Sequence, residues 1–125
     1  MNPTVTAHAQ RTANNLLEEL DGARAVVIAT SDGFDLAHAA RVVIEPARLA
    51  AMVSSFAALG DAASRETGIG TPRCLVIEST QGRLVVRCIE MLGVSLVVVV
   101  LTDTSMLLGR VWNALASAEQ KMVVA

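Results

Sequence analysis

Val97, Val98, Val99, Val100 and Leu101 form an unbroken apolar run inside the segment Val94–Thr102. A strand with one wet face alternates apolar and polar side chains, and this one does not. It therefore reads as a central strand covered on both faces. The greasiest stretch around it, Leu92–Leu101, has only about half of the roughly 20 residues needed to cross a bilayer. Upstream, Arg83–Ile89 and Arg73–Ser79 read as two further strands, with turns at Leu92-Gly93 and Gln81-Gly82. Downstream, Thr102, Asp103, Thr104 and Ser105 are candidate N-caps. They precede Leu108, Val111, Trp112, Leu115 and Met122, which recur at helical spacing.

The N-terminal half has the same grammar. Ala9, Ala13, Leu16, Leu17 and Leu20 mark one face of a first helix, with Asn2 or Thr6 as candidate caps. Asp21-Gly22 is the expected stop, the glycine supplying a left-handed residue. Ala25–Ala29 reads as a strand and Asp32-Gly33 as a two-residue hairpin turn, since both of its positions call for positive φ. A second strand is expected over Asp35–Val43. Pro46 suits the first position of a helix. Leu49, Met52, Val53, Phe56, Leu59 and Ala63 form its stripe, and Gly68-Ile69-Gly70 with Pro72 ends it. Small residues (Ala50, Ala51, Ser54, Ser55, Ala57, Ala58) sit beside the stripe, so it reads equally well as plain core or as a contact face. The resulting fold class is α/β (α+β): one domain over 1–125, helix–strand–strand–helix–strand–strand–strand–helix. Consecutive strands are antiparallel, and helices cover both faces of a five-stranded sheet.

Composition narrows the function. The chain has 125 residues, 53% of them hydrophobic, above the usual level of about 45–50%. Mean hydropathy is +0.51. That surplus fits covered strands or a surface hidden by a partner. Net charge is −2, and the arginines are scattered, with Lys121 the only lysine. No basic stripe invites nucleic acid, and no membrane partner is expected. The N-terminal stretch lacks the charged start and apolar run of a signal peptide. A reduced cytoplasmic setting follows, and the Ala- and Arg-rich, Lys-poor composition suits a bacterium.

Catalytic patterns do not assemble. His8 and His38 stand apart in the order of elements, too few for a metal site. Gly68-x-Gly70 lacks a following Gly-Lys-Ser/Thr and reads as a helix terminator. The Asp32–Asp35 turn lacks the further ligands and the closing glutamate of a calcium loop. Gly-x-Ser-x-Gly is absent. No cofactor, metal or enzymatic activity is expected. With Gln81-Gly82 as a two-residue turn, Leu75 faces Cys88 and Ile77 faces Val86, leaving Cys74 on the opposite face. A three-residue turn would set Cys74 against Cys88 but would mix Leu75 with Arg87. Two buried, unbridged thiols are the expectation.

Several stretches resemble the roadblock/LC7 family. They are Leu17-x-x-Leu20-x-Gly22 followed by Ala25-Val-Val-Ile-Ala-Thr-Ser-Asp-Gly33, Glu45-Pro-Ala-Arg-Leu-Ala-Ala-Met52, and Cys74-Leu-Val-Ile-Glu-Ser-Thr-Gln-Gly82. The resemblance runs from about Leu16 to Trp112 and rests on order, spacing and length together. It implies a profilin-like sandwich, with the middle helix on one sheet face and the terminal helices on the other. It also implies a homodimer in which the third strand and the middle helix of each protomer meet. Bacterial members of the gliding-motility type are paired with small Ras-like GTPases that they regulate or scaffold; eukaryotic relatives serve in dynein and lysosomal scaffolds. Carried onto this chain, the dimer interface is expected at Cys74, Val76, Glu78, Met52 and Phe56. The partner surface is expected at Arg48, Ala51, Ser55 and Ala58. A structural subunit with no nucleotide-linked partner is the competing expectation.

Overall fold

In the computed structural model, which describes residues 3–124 and side chains as far as Lys121, the run Val97–Leu101 lies in the centre of the sheet. The elements are α1 (Pro3–Glu19), β1 (Ala23–Thr30), β2 (Asp35–Ala40), α2 (Pro46–Glu66), β3 (Leu75–Ser79), β4 (Gly82–Met91), β5 (Val94–Thr102) and α3 (Leu108–Val124). The strands are ordered β2-β1-β5-β4-β3, and every neighbouring pair is antiparallel. Val97 and Val99 face α2 together with Val27, Ala29 and Val86. Leu96, Val98 and Val100 face α1 and α3. Burying a valine is worth about 1.5–3 kcal/mol, so a strand drawing on both faces belongs in the middle. The missing alternation had said as much.

Local chemistry departs from expectation at the turns. Asp32-Gly33 is not a type I′ turn, because only Gly33 has positive φ, 100°. Gly33 N–H instead donates to the Thr30 carbonyl at 3.0 Å, and Thr30 N–H to the Phe34 carbonyl at 2.8 Å. The ladder shifts between Ile28 and Ala29 to absorb the extra residue. Two consecutive positive values occur at Leu92 (51°) and Gly93 (78°), closing β4 onto β5. The β3–β4 turn is Thr80-Gln81, not Gln81-Gly82, since Ser79 pairs with Gly82. Leu75 therefore faces Val86 and Ile77 faces Leu84, a slide of two residues that preserves which face each side chain takes. Gly82 is needed inside the ladder, where a Cβ would stand 2.3 Å from the Thr102 carbonyl oxygen.

The helices differ in phase and in ends. Thr6 lies inside α1 rather than at its start, while Asn2 and the Met122 side chain fall outside the described residues. Gly22 has no positive φ; it is small because Asp103 and Met106 press on it. Arg41 closes the C-terminal end of α1, donating to the Leu17 and Ala23 carbonyls at 2.6 Å each and to Leu20 at 3.2 Å. The chain leaves the sheet there, so β2 stops at Ala40 and Val43, expected inside it, is fully exposed. α2 ends as expected: Gly68 is left-handed, Ile69 N–H bonds the Ser64 carbonyl and Gly68 N–H the Arg65 carbonyl. Ahead of α3, Asp103 is held by Ser105, through its N–H at 3.0 Å and its hydroxyl at 2.6 Å, so the expected caps form a turn before the helix. Trp112, expected in the core stripe, is 48% exposed, while Val111, Ala114 and Leu115 carry the packing.

Candidate interaction site

Apolar side chains on both sides of α2 left its phase open in the sequence. The sheet-facing seam is Ala50, Val53, Ser54 and Ala57. Small side chains let the helix lie close, and Ser54 Oγ donates to the Thr30 carbonyl at 3.2 Å. Leu49 and Phe56 are half-buried on one flank, against the cluster that Leu75 and Leu84 also join. Gly60 lies on this side, and a Cβ there would meet the Leu75 side chain. Met52 and Leu59 stand three residues beyond Leu49 and Phe56, turned to solvent at 63% and 69% exposure. The expected stripe is thus divided between core and surface.

β3 is an edge of the sheet, with β4 as its only strand neighbour among the described residues. Its backbone polar groups on the other side have no strand partner, which makes the edge a template for pairing. Leu75 and Ile77 face the α2 side, and Ile77 is 43% exposed. Cys74 and Val76 pack toward the α1–α3 core. Glu78, exposed on that same side, pairs with Arg83 Nη2 at 2.9 Å. The five interface candidates therefore gather at one edge but on two faces: Met52 and Phe56 with α2, Cys74, Val76 and Glu78 with α1 and α3. Leu75 and Ile77, which with Leu59 of the expected stripe complete the α2 side, were not among the expected interface residues. The strand parity that groups Leu75 with Ile77 was the signal for them.

The partner-surface candidates lie on the outer ridge of α2. Ala51, Ser55 and Ala58 line a shallow depression with Ser31, Asp32 and Gly33 of the β1–β2 turn. Gly33 packs beside this ridge, where a Cβ would make ordinary contact with Ala51 Cα at 3.6 Å; its φ of 100°, not lack of space, is what favours glycine. Arg48 stands apart, 75% exposed and paired with Glu45 at 3.2 Å.

Among the described residues no three His, Cys, Asp or Glu side chains gather as a metal site. His8 bonds Arg11, and His38 offers its backbone carbonyl to Gln10. Both cysteines are free, but they are not both buried: Cys74 is half-buried and Cys88 exposed. Partial burial pushes the Cys74 thiol above its ordinary value, against the lowering effect of Trp112 and Arg87. No described helix is long and apolar enough to cross a membrane.

Comparison with known proteins places this geometry. A family model described as Roadblock/LC7 domain matches residues 10–102. No curated protein matches by sequence. Among solved structures, an MglB with tetrameric arrangement superposes with a TM-score of 0.80 at 24% identity, covering 98% of this chain and 90% of the other. The gliding protein MglB of Thermus thermophilus gives 0.80 at 23% identity, covering 98% and 91%. Profilin II of Acanthamoeba castellanii gives 0.64 at 13% identity, covering 92% and 96%. The sandwich is therefore profilin-like, and the chain belongs to the roadblock/LC7 domain family.

Proposed function

We propose that this chain is a homodimeric, non-enzymatic regulator or adaptor of a small Ras-like GTPase, acting as one cytoplasmic bacterial domain. The observation that carries the reading is the open β3 edge flanked by exposed Met52, Leu59 and Ile77. Pairing with a second copy across a two-fold axis covers that edge symmetrically. The likeness to an MglB in a tetrameric arrangement supports self-association. Joining two sheets at β3 sets the two α2 helices side by side, with Ala51, Ser55 and Ala58 as a flat bed for the GTPase. Such a partner is regulated only as far as its two nucleotide states differ in affinity for the bed. Arg48 has room to swing toward it.

The test is binding to Ras-like GTPases encoded by the same genome, loaded with GDP or with a non-hydrolysable GTP analogue. One loaded form should bind at least tenfold tighter, and Ala58→Arg should abolish binding while leaving the circular dichroism spectrum unchanged. Equal affinity for both forms would leave a scaffold without regulation. No binding to any of them would favour a structural subunit of a larger complex.

A further inference from the structure

We propose that the cleft between α1 and α3 is a second docking site, taking an acidic segment of a partner protein. It lies on the sheet face opposite α2, outside the surface assigned above, and has a volume of about 210 Å³. Arg110, near the start of α3, donates to the Glu19 carbonyl at the end of α1 at 3.1 Å, so the two helices run antiparallel. Lys121 consequently lines the same end as His8 and Arg11, while Glu19 stands at the other. His8 to Glu19 spans about 16 Å of helix at 1.5 Å per residue.

The lining is graded along that length. Leu16, Ala114 and Ala118 make an apolar floor, and Thr12, Asn15 and Ser117 add neutral hydrogen-bonding groups. The basic end is short of partners. Arg48, Arg65, Arg83 and Arg87 are paired with carboxylates, and Arg41 and Arg110 with backbone carbonyls. Among the described residues, Lys121 has no ion pair and Arg11 has only His8, whose Nδ1 lies 2.7 Å from its Nη2. An imidazole carries no negative charge in any form, so it does not neutralise the guanidinium. Two cations at the rim of a partly apolar cleft call for a carboxylate, which Arg can grip with two parallel bonds. Enclosed small-molecule pockets usually run about 300–1,000 Å³. A smaller, elongated cleft with opposite charges at its ends suits a stretch of chain, acidic side chains at one end and a neutral or basic one at the other.

The test uses a phage-displayed library of random twelve-residue peptides, panned on the full chain and counter-selected on an Arg11→Glu/Lys121→Glu variant. Enriched peptides should be acidic, should shift the backbone amide signals of α1 and α3 in labelled protein, and should bind the variant at least tenfold more weakly. Ser117→Trp, which fills the cleft without touching its charges, should weaken them equally; thermal melts verify that both variants fold. Enrichment of non-acidic peptides, undiminished binding to either folded variant, shifts confined to α2 and β3, or no enrichment would overturn the proposal. Inorganic phosphate producing the same shifts at the same concentration as the peptides would also overturn it, marking a site for free anions.

Discussion

β2 and β3 are the two edges of one sheet, yet among the described residues the backbone of β2 alone accepts a hydrogen bond from a helix side chain. Gln10 of α1 donates to the His38 carbonyl at 2.8 Å, and Arg41, just past β2, grips three carbonyls around the end of α1. β2 is also poor in large apolar side chains, with Leu36 alone among Asp35–Ala40. β3 offers Leu75, Val76 and Ile77 in a row, and among the described residues no helix side chain bonds its backbone. An unpaired apolar edge is a hazard unless something covers it. One edge is closed from within, and the other is left for a cover from outside.

The contrast can be broken first at Arg41. Arg41→Ala removes three charge-assisted bonds in a partly wet setting; with each such bond worth about 1.5–3 kcal/mol at best, a net loss of about 2 kcal/mol is expected. A urea midpoint shift reads it, and freed β2 should show faster amide exchange while β3 is unaffected. Stabilising the sheet away from both edges gives the complementary case. Leu92 holds a left-handed conformation that costs a non-glycine residue about 1–2 kcal/mol and that asparagine tolerates better. Leu92→Asn should therefore raise stability by about 1 kcal/mol in thermal melts without changing self-association. Gln10→Ala should cost about 0.5–1 kcal/mol and raise exchange at His38 and its β2 neighbours.

The smallest effect concerns the thiols. Cys88 should react with iodoacetamide in the folded protein, and Cys74, beside β3, should react more slowly and slower still in an assembled dimer. The Cys74 pKa is raised on folding, so above the ordinary thiol value of 9.0 the unfolded chain loses this proton first. Stability should accordingly be unaffected by this group below that pH and decline as pH climbs past it. Equal urea midpoints at pH 8 and pH 10 for wild type and Cys74→Ala alike would contradict this.

Much of this was legible in the chain because the signals were local. The non-alternating valines placed β5 in the centre, and Pro46 and Gly68 bounded α2 through backbone constraints that need no tertiary context. What escaped was set by contacts distant in sequence. Gly82 looked like a turn residue, but its place is fixed by Thr102 on β5. The helix stripe Leu49–Ala63 could not be phased because the sheet selects small residues for close approach, releasing Met52 and Leu59 to the surface. Arg41, 18 to 24 residues from the carbonyls it binds, carries no local mark of its role. At the candidate interface, the apolar edge and the split of its side chains between two faces were visible in the strand's parity, while the partners each residue meets across the ladder followed only from the register of β3 on β4.

Sedimentation equilibrium at micromolar concentration tests the central claim most directly, comparing wild type with Ile77→Lys, which places a charge on the α2 side of the β3 edge. The account predicts that wild type sediments at twice the 13.1 kDa chain mass and the folded variant at the chain mass. A monomeric wild type, or a dimer that Ile77→Lys leaves intact, would contradict it.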